Sequence, residues 1–132
     1  MQKPNLPHNH GENIEKVLEV LPRTEEFLAI ADLFRLLGDA SRIKIFWFLC
    51  HARECVINLS AVMEMSSPAV SHHLKQLKSA GLIVSQREGK EVYYKAADTL
   101  QVKTLHDMLE VVSKVSCPDG ASAINHDEIN LK

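Results

Sequence analysis

Apolar residues recur at helical spacing along the first half of the chain, which predicts three consecutive helices. The first covers residues 14–21, and the second begins at its expected N-cap, Thr24. The third covers residues 43–49 after the N-cap Asp39, and it is apolar on almost every side. A helix without a polar face has to be buried, so we expect this one to be the most buried element.

Two short helices joined by a tight turn come next. Asn58 is the expected N-cap of residues 59–65, and Ser66 followed by Pro68 marks the start of the second helix, residues 67–79. At about 100° per residue, the inward face of this second helix consists of Val70, Leu74 and Leu77. Its outward face is small and polar and comprises Ala69, His72, Lys75, Gln76 and Ser79, with Ser71 at the boundary.

After Gly81 the hydrophobic period shortens to that of a β-strand. Residues 82–87 and 91–96 are rich in β-branched and aromatic side chains and flank a short turn, which predicts a hairpin. A last helix over residues 98–116 carries an apolar stripe broader than one core needs, which indicates a second partner surface. The predicted fold is mainly α with a small β-hairpin: a winged helix-turn-helix whose helices at both ends form a dimer interface.

Composition narrows the function classes. The chain has 132 residues, enough for one domain, which we place at residues 13–116 between a flexible arm (1–12) and a flexible tail (117–132). Its net charge is −2, but residues 66–95 hold five Lys or Arg against two Asp or Glu, so a basic segment lies in an acidic chain. Three irregularly spaced cysteines and no apolar leader or membrane span predict a reducing cytoplasm.

The basic segment coincides with the second short helix and the hairpin, which favours binding to DNA. Hydroxyls at a helix N-terminus suit phosphates, a small polar helix face suits the major groove, and cations at a hairpin tip suit the adjacent backbone. The predicted DNA contacts are Ser66, Ser67, Ala69, Ser71, His72, Lys75, Gln76, Arg87 and Lys90.

Two other function classes fit the chain less well. A winged helix that serves as a dimeric adaptor without binding DNA would not need this cationic cluster. An enzyme is not expected, because the chain contains no glycine-rich phosphate loop, paired carboxylates or nucleophile elbow.

Three segments resemble the ArsR/SmtB family of metal- or redox-responsive repressors. Residues 33–42 resemble the family's opening segment, residues 66–77 its recognition helix, and residues 82–94, with the paired Tyr93 and Tyr94, its wing. The resemblance covers residues 27–116 and implies a homodimeric winged-helix repressor that an inducer releases from DNA. Two recognition helices related by a dyad read half-sites about 34 Å apart, so the expected partner is double-stranded DNA with a palindromic operator.

The resemblance also points to a sensory site. Residues 55–59 resemble the family's metal box, a Cys-Val-Cys-Asp-Leu pattern in which Cys55 matches the first cysteine. Ile57 and Asn58 replace the second cysteine and the acid. Zinc or another thiophilic divalent metal would need further ligands, since such ions take about four. The candidate residues of this metal or thiol switch are Cys55, His8, His10, Cys50 and Cys117.

A second metal site of the family, on the last helix, is expected to be absent. Asp98 matches its pattern, but Leu100 and Val111 stand where histidines are needed, and His106 alone does not restore it. The alternative to a metal effector is a redox or reactive-sulfur switch that links Cys55 to Cys50 or Cys117 and distorts the dimer. Cys50, on an apolar helix, also fits the role of a small core residue.

Overall fold

The computed structural model describes residues 4–114, which fall into two compact units: one ends at Asp32 and the other begins at Leu33. In chain order the elements are α1 (Ile14–Val20), α2 (Thr24–Leu36), α3 (Ala40–Leu49), β1 (Glu54–Cys55), α4 (Val56–Met63), α5 (Ser67–Ser79), β2 (Ile83–Glu88), β3 (Glu91–Ala96) and α6 (Leu100–Ser113). Within the described residues, no helix combines the length and apolar content that a membrane span requires.

The first unit has little interior of its own. Within residues 4–32 every residue is exposed except Leu18, which is half-buried. Thr24 is the first residue of α2 and not its N-cap, because the carbonyl oxygen of Arg23 already accepts from the amide of Glu26 at 3.0 Å. The acidic first turn of α2, Glu25 and Glu26, is favourable at the positive end of the helix dipole.

The core of the second unit is built from α3, α5 and the segment that enters the hairpin. Ile45 and Phe46 of α3 are fully buried, and only Ala40 and Lys44 of that helix are exposed, as its all-round apolar pattern predicts. Burial of one such large apolar side chain contributes about 1.5–3 kcal/mol to the free energy of unfolding. The inward face predicted for α5 is confirmed, because Val70, Leu74 and Leu77 are all buried.

The hairpin is confirmed, and a third strand joins it. The sheet order is β1-β3-β2, with both pairs antiparallel. In β1, Glu54 lies opposite Tyr94 and Cys55 opposite Tyr93. The pattern did not predict β1, because two residues are too few to show alternation. The architecture is therefore mainly helical with a small antiparallel sheet, and α4, α5 and the β2–β3 hairpin form a winged helix-turn-helix.

The helix ends show which capping predictions hold. The Asp39 carboxylate accepts from the amide of Arg42 at 3.0 Å, and the Ser66 hydroxyl accepts from the amide of Ala69 at 3.2 Å, so both predicted N-caps are confirmed. Asn58 is not an N-cap: α4 begins earlier, at Val56, and the Asn58 side chain instead donates to the Glu54 carboxylate at 3.0 Å.

Helix α6 is shorter than expected at its start. It begins at Leu100 and not at Asp98, because the hydroxyl of Thr99 caps it by accepting from the amide of Val102 at 3.2 Å. Only part of its apolar stripe is buried. Val102 and Leu105 lie in the core, whereas Val112 is 76% exposed.

Candidate DNA-binding surface and candidate metal centre

Arg42 joins the start of α3 to α5. Its Nε donates to the carbonyl oxygen of Leu36 at 2.6 Å, and its Nη1 donates to Oε1 of Gln76 at 3.1 Å. The same Nη1 lies 3.5 Å from Nδ1 of His73. A half-buried guanidinium with several acceptors holds α5 at a defined angle. The sequence alone does not reveal this role of Arg42, because its partners on α5 lie more than thirty positions away.

The outward face of α5 presents most of the predicted DNA contacts to solvent. Ser66, Ser67, Ser71, His72 and Lys75 are exposed, whereas Ala69 and Gln76 are half-buried. The helix begins with Pro68 in its first turn, where the free backbone N–H groups of a helix attract anions. This face therefore offers hydroxyls, amides and one cation together, which suits a phosphate backbone and a groove floor.

Two of the predicted contacts already make hydrogen bonds within the chain. Gln76 accepts from Arg42 through Oε1, so its orientation is set by α3. Ser67 Oγ lies 3.1 Å from Ser60 Oγ of α4, which ties the two helices of the motif together. Gln76 and Ser67 thus attach α5 to α3 and α4, in addition to being candidate DNA contacts.

The wing carries its cations at an exposed tip. Arg87 and Lys90 are exposed on either side of Gly89, whose φ of +62° is readily adopted by glycine in a tight turn. Arg87 Nε donates to the carbonyl oxygen of Gly89 at 3.3 Å. Lys78 Nζ donates to Ser85 Oγ at 2.6 Å and so attaches the end of α5 to β2.

Beside the wing tip, an ion pair with Arg53 offsets the negative charge of Glu88, the first acidic residue of the hairpin. Arg53 donates to both carboxylate oxygens of Glu88, the second at 2.9 Å, and its guanidinium lies 4.3 Å from the ring centre of Tyr93. The hydrogen bond from Arg53 lowers the pKa of Glu88. Since the charge of Glu88 is matched within the pair, the positive potential of Arg87 and Lys90 is less offset.

Comparison with known proteins decides the family. A family model described as "Bacterial regulatory protein, arsR family" matches residues 39–85, which run from just before α3 into β2. The transcriptional repressor SmtB homolog of Synechocystis sp. is 35% identical over 92 residues, which cover 70% of this chain and 70% of that protein. The chain belongs to the ArsR family. It is accordingly a transcriptional regulator with a winged helix-turn-helix for DNA binding.

Two further proteins are similar to this chain. The cadmium resistance transcriptional regulatory protein CadC of Listeria innocua is 37% identical over 67 residues, 50% of this chain and 56% of that protein. The homodimeric winged helix-turn-helix DNA-binding domain of a possible ArsR-family regulator from Mycobacterium bovis has a TM-score of 0.59 at 23% identity. The match covers 81% of this chain and 90% of that one, and it shows the shared fold.

Among residues 4–114, the ArsR-type metal-box position offers a single thiol, that of Cys55. Cys55 is only 8% exposed and sits at the N-terminus of α4, where its amide donates to the Glu54 carboxylate at 2.8 Å. Ile57, which takes the place of the second cysteine, is exposed and has no donor atom. One buried thiol does not meet the requirement of a four-coordinate thiophilic ion.

The other candidate switch residues have different environments. Burial and, secondarily, the charge of Glu110 raise the pKa of Cys50 to about 12, so this half-buried thiol stays protonated at neutral pH. His8 and His10 lie in the first unit with their rings stacked at 5.8 Å between centres. Cys117 lies outside the described residues, so its predicted role is not addressed.

A buried cluster that the sequence analysis missed lies between the end of α3 and α6. Nε2 of His51 and Nε2 of His106 are 2.9 Å apart, and Glu110 Oε1 is 3.3 Å from His106 Nε2. On the other side of its ring, His106 Nδ1 contacts Asp107 Oδ1 at 3.0 Å. His106 is 0% exposed, and both carboxylates are buried.

The cluster has the composition of a metal centre. The three ligand atoms of His51, His106 and Glu110 all lie within 4.8 Å of one another. Burial and then the nearby His106 lower the pKa of His51, which favours the neutral imidazole that binds metals. The available signal in the sequence was the i, i+4 pair His106 and Glu110 among apolar positions. Its third member, His51, comes from a distant helix end that spacing on α6 does not reveal.

Proposed function

We propose that this chain is a homodimeric, sequence-specific repressor that binds a palindromic operator and is released by a metal ion. The observation that carries the proposal is the exposed outward face of α5, which stands beside a wing tip with two cations. Insertion of this face into the major groove would place Ser66, Ser67 and Ser71 near phosphates and His72 and Lys75 near base edges.

Exposed apolar side chains support the homodimer. In the first unit Val17, Phe27 and Leu28 are exposed, and in the second unit Leu100 and Val112 of α6 are each 76% exposed. Large apolar side chains left exposed within one unit often mark an interface. Burial of the α6 surface against a second copy would give the two recognition helices the two-fold symmetry that a palindrome requires.

A metal effector fits the chemistry better than a thiol oxidant. The cadmium-resistance regulator CadC is among the relatives, and the described residues contain a buried histidine–carboxylate cluster. A redox switch needs a thiolate, whereas Cys50 has a pKa raised to about 12 and Cys55 is buried. Protonated and buried thiols react slowly with oxidants.

The test is a fluorescence-anisotropy titration of the full chain against the DNA upstream of its own gene, at several salt concentrations. We expect affinity to fall steeply with salt, because cations on two subunits displace counterions from phosphates. Addition of Zn²⁺ or Cd²⁺ is expected to release the DNA, and a chelator to restore binding.

Two variants give the matched control. Arg87→Ala removes a wing cation and should weaken binding, whereas Lys103→Ala removes an α6 cation that is paired with Asp98 and should not. If both variants bind like the wild type, or if salt has no effect, the proposed DNA surface is wrong.

A further inference from the structure

We propose that His51, His106 and Glu110 form a binding site for a borderline divalent cation such as Zn²⁺, held in place by Asp107. The inference about metal binding stands on the cluster alone. Its regulatory consequence rests on the proposed function, and the experiments below separate the two.

Two of the donor–donor distances within the cluster are close to those of a loaded site, and all three donor atoms lie within 4.8 Å of one another. Tetrahedral Zn²⁺ with ligand bonds of about 2.0–2.1 Å separates its donor atoms by about 3.3 Å. Glu110 Oε1 and His106 Nε2 are already 3.3 Å apart, and the two Nε2 atoms are 2.9 Å apart. A small outward movement of His51 therefore admits the ion without rebuilding either helix.

Asp107 fixes the ring of His106 in the orientation that binding needs. An ionised carboxylate only accepts hydrogen bonds, so the contact at 3.0 Å keeps the proton of His106 on Nδ1. The lone pair on Nε2 then faces His51 and Glu110. A carboxylate behind a ligating histidine is the usual second contact of protein zinc sites, where it sets tautomer and basicity.

The charge of the cluster also suits a dication. Two carboxyl groups and two imidazoles meet here, and all of these groups are at least half-buried. Charge in a protein interior is costly unless it is balanced, and a divalent ion balances this set. For both Nε2 atoms to bind the ion, His51 would lose its Nε2 proton to solvent and take up one proton on Nδ1, so that its net charge does not change.

The site lies between α3, which is attached to the candidate recognition helix α5, and α6, the proposed dimer helix. His51 follows α3, and α3 carries Arg42, which holds α5 through Gln76. His106 and Glu110 lie on α6, whose opposite face is exposed and apolar. A metal ion that changes the separation of His51 and His106 thus acts on the recognition helix and on the proposed dimer helix together.

The first experiment is a titration of the full, reduced chain with Co²⁺, a spectroscopic substitute for Zn²⁺. We expect saturable binding with visible bands of a tetrahedral nitrogen–oxygen site and no thiolate charge-transfer band. Glu110→Gln and His51→Gln should weaken binding by more than about 100-fold, and Asp107→Asn by about 10–100-fold, as loss of a supporting contact does.

The matched control is Cys55→Ser, which should keep both affinity and spectrum. Circular dichroism and thermal unfolding of each variant in a chelator check that it is folded; Glu110→Gln is close in shape to the wild type. A thiolate band, loss of binding in Cys55→Ser, or unchanged affinity in folded Glu110→Gln would overturn the site.

The second experiment measures operator affinity with and without Zn²⁺. We expect a change of about 10-fold or more in the wild type and none in Glu110→Gln. If Co²⁺ binds as expected but Zn²⁺ leaves DNA affinity unchanged, the proposed coupling of metal binding to DNA binding is wrong. The proposed metal site itself is then still supported. If the metal-free wild type does not bind DNA, the proposed function fails, and the Co²⁺ result still decides the site.

Discussion

The outward face of α5 and the cluster of His51, His106 and Glu110 are both polar, but they differ in burial. On α5, Lys75 and His72 are exposed and individually replaceable, since water screens each charge. In the cluster, His106 is fully buried and depends on its neighbours for every polar contact. A surface suited to DNA is therefore a sum of weak independent groups, whereas a candidate sensor is one coupled unit.

The largest expected effect is a loss of stability on replacing the buried His106, compared with the exposed His72. His106→Ala removes a ring that contacts Asp107 and His51 in the interior, so the free energy of unfolding should fall by about 3 kcal/mol or more. His72→Ala alters an exposed position and should change it by less than about 0.5 kcal/mol. Urea unfolding in a chelator measures both. Equal losses would mean that burial does not distinguish the two regions.

A second prediction uses two lysines and measures DNA affinity. Lys75→Ala removes a cation from each recognition helix of a dimer, and we expect operator binding to weaken by about 10–100-fold. Lys103→Ala should change affinity by less than about 2-fold. Neither variant should shift the thermal unfolding midpoint appreciably. An equal effect of both lysines on affinity would contradict a localised DNA surface.

A third prediction concerns Arg42, which belongs to neither region and contacts both α2 and α5. Arg42→Lys cannot reproduce the donations to Leu36 and Gln76 together, and should cost about 1–2 kcal/mol of stability. Operator affinity should fall several-fold because α5 loses its orientation. Arg23→Lys, at an exposed ion pair, is the control and should change neither stability nor operator affinity. Unchanged DNA binding in Arg42→Lys would show that α5 is held by its apolar face alone.

The smallest effect is the pH response of the Cys50 thiol. Burial raises its folded pKa to about 12 from an unfolded value of 9.0, so above pH 9 the unfolded chain releases a proton that the folded chain keeps. Stability should therefore fall by about 1 kcal/mol between pH 8 and pH 10. Cys50→Ala, compared over the same interval in urea, should lack this part of the decline. If stability declines equally in the wild type and in Cys50→Ala, burial of the Cys50 thiol is not the cause of the decline.

Local patterns were sufficient for the fold and for the exposed outward face of α5. Val70, Leu74 and Leu77 share one helix face, and their burial follows from spacing alone, as does the opposite exposure of His72 and Lys75. The caps at Asp39 and Ser66 were also predictable, because a cap and its partner lie three residues apart.

Features that depend on distant partners were not predictable in this way. The strand β1 exists only because β3 pairs with it. Helix α4 follows it directly at Val56, so Asn58 lies inside the helix and does not cap it. His51 meets His106 across 55 positions of sequence. An apolar stripe on α6 gave no indication that its inner side accommodates two carboxylates.

The pairing of β1 with β3 has a mechanical consequence. Glu54 begins β1 three residues after His51, and β1 is hydrogen-bonded to the central strand of the sheet that carries the hairpin. From Tyr94, opposite β1, to Lys90 at the turn, the hairpin extends for about 13 Å, so a pivot of about 4° at β1 would displace Lys90 by about 1 Å. The short strand thus gives the exposed wing tip a lever arm anchored three residues from His51.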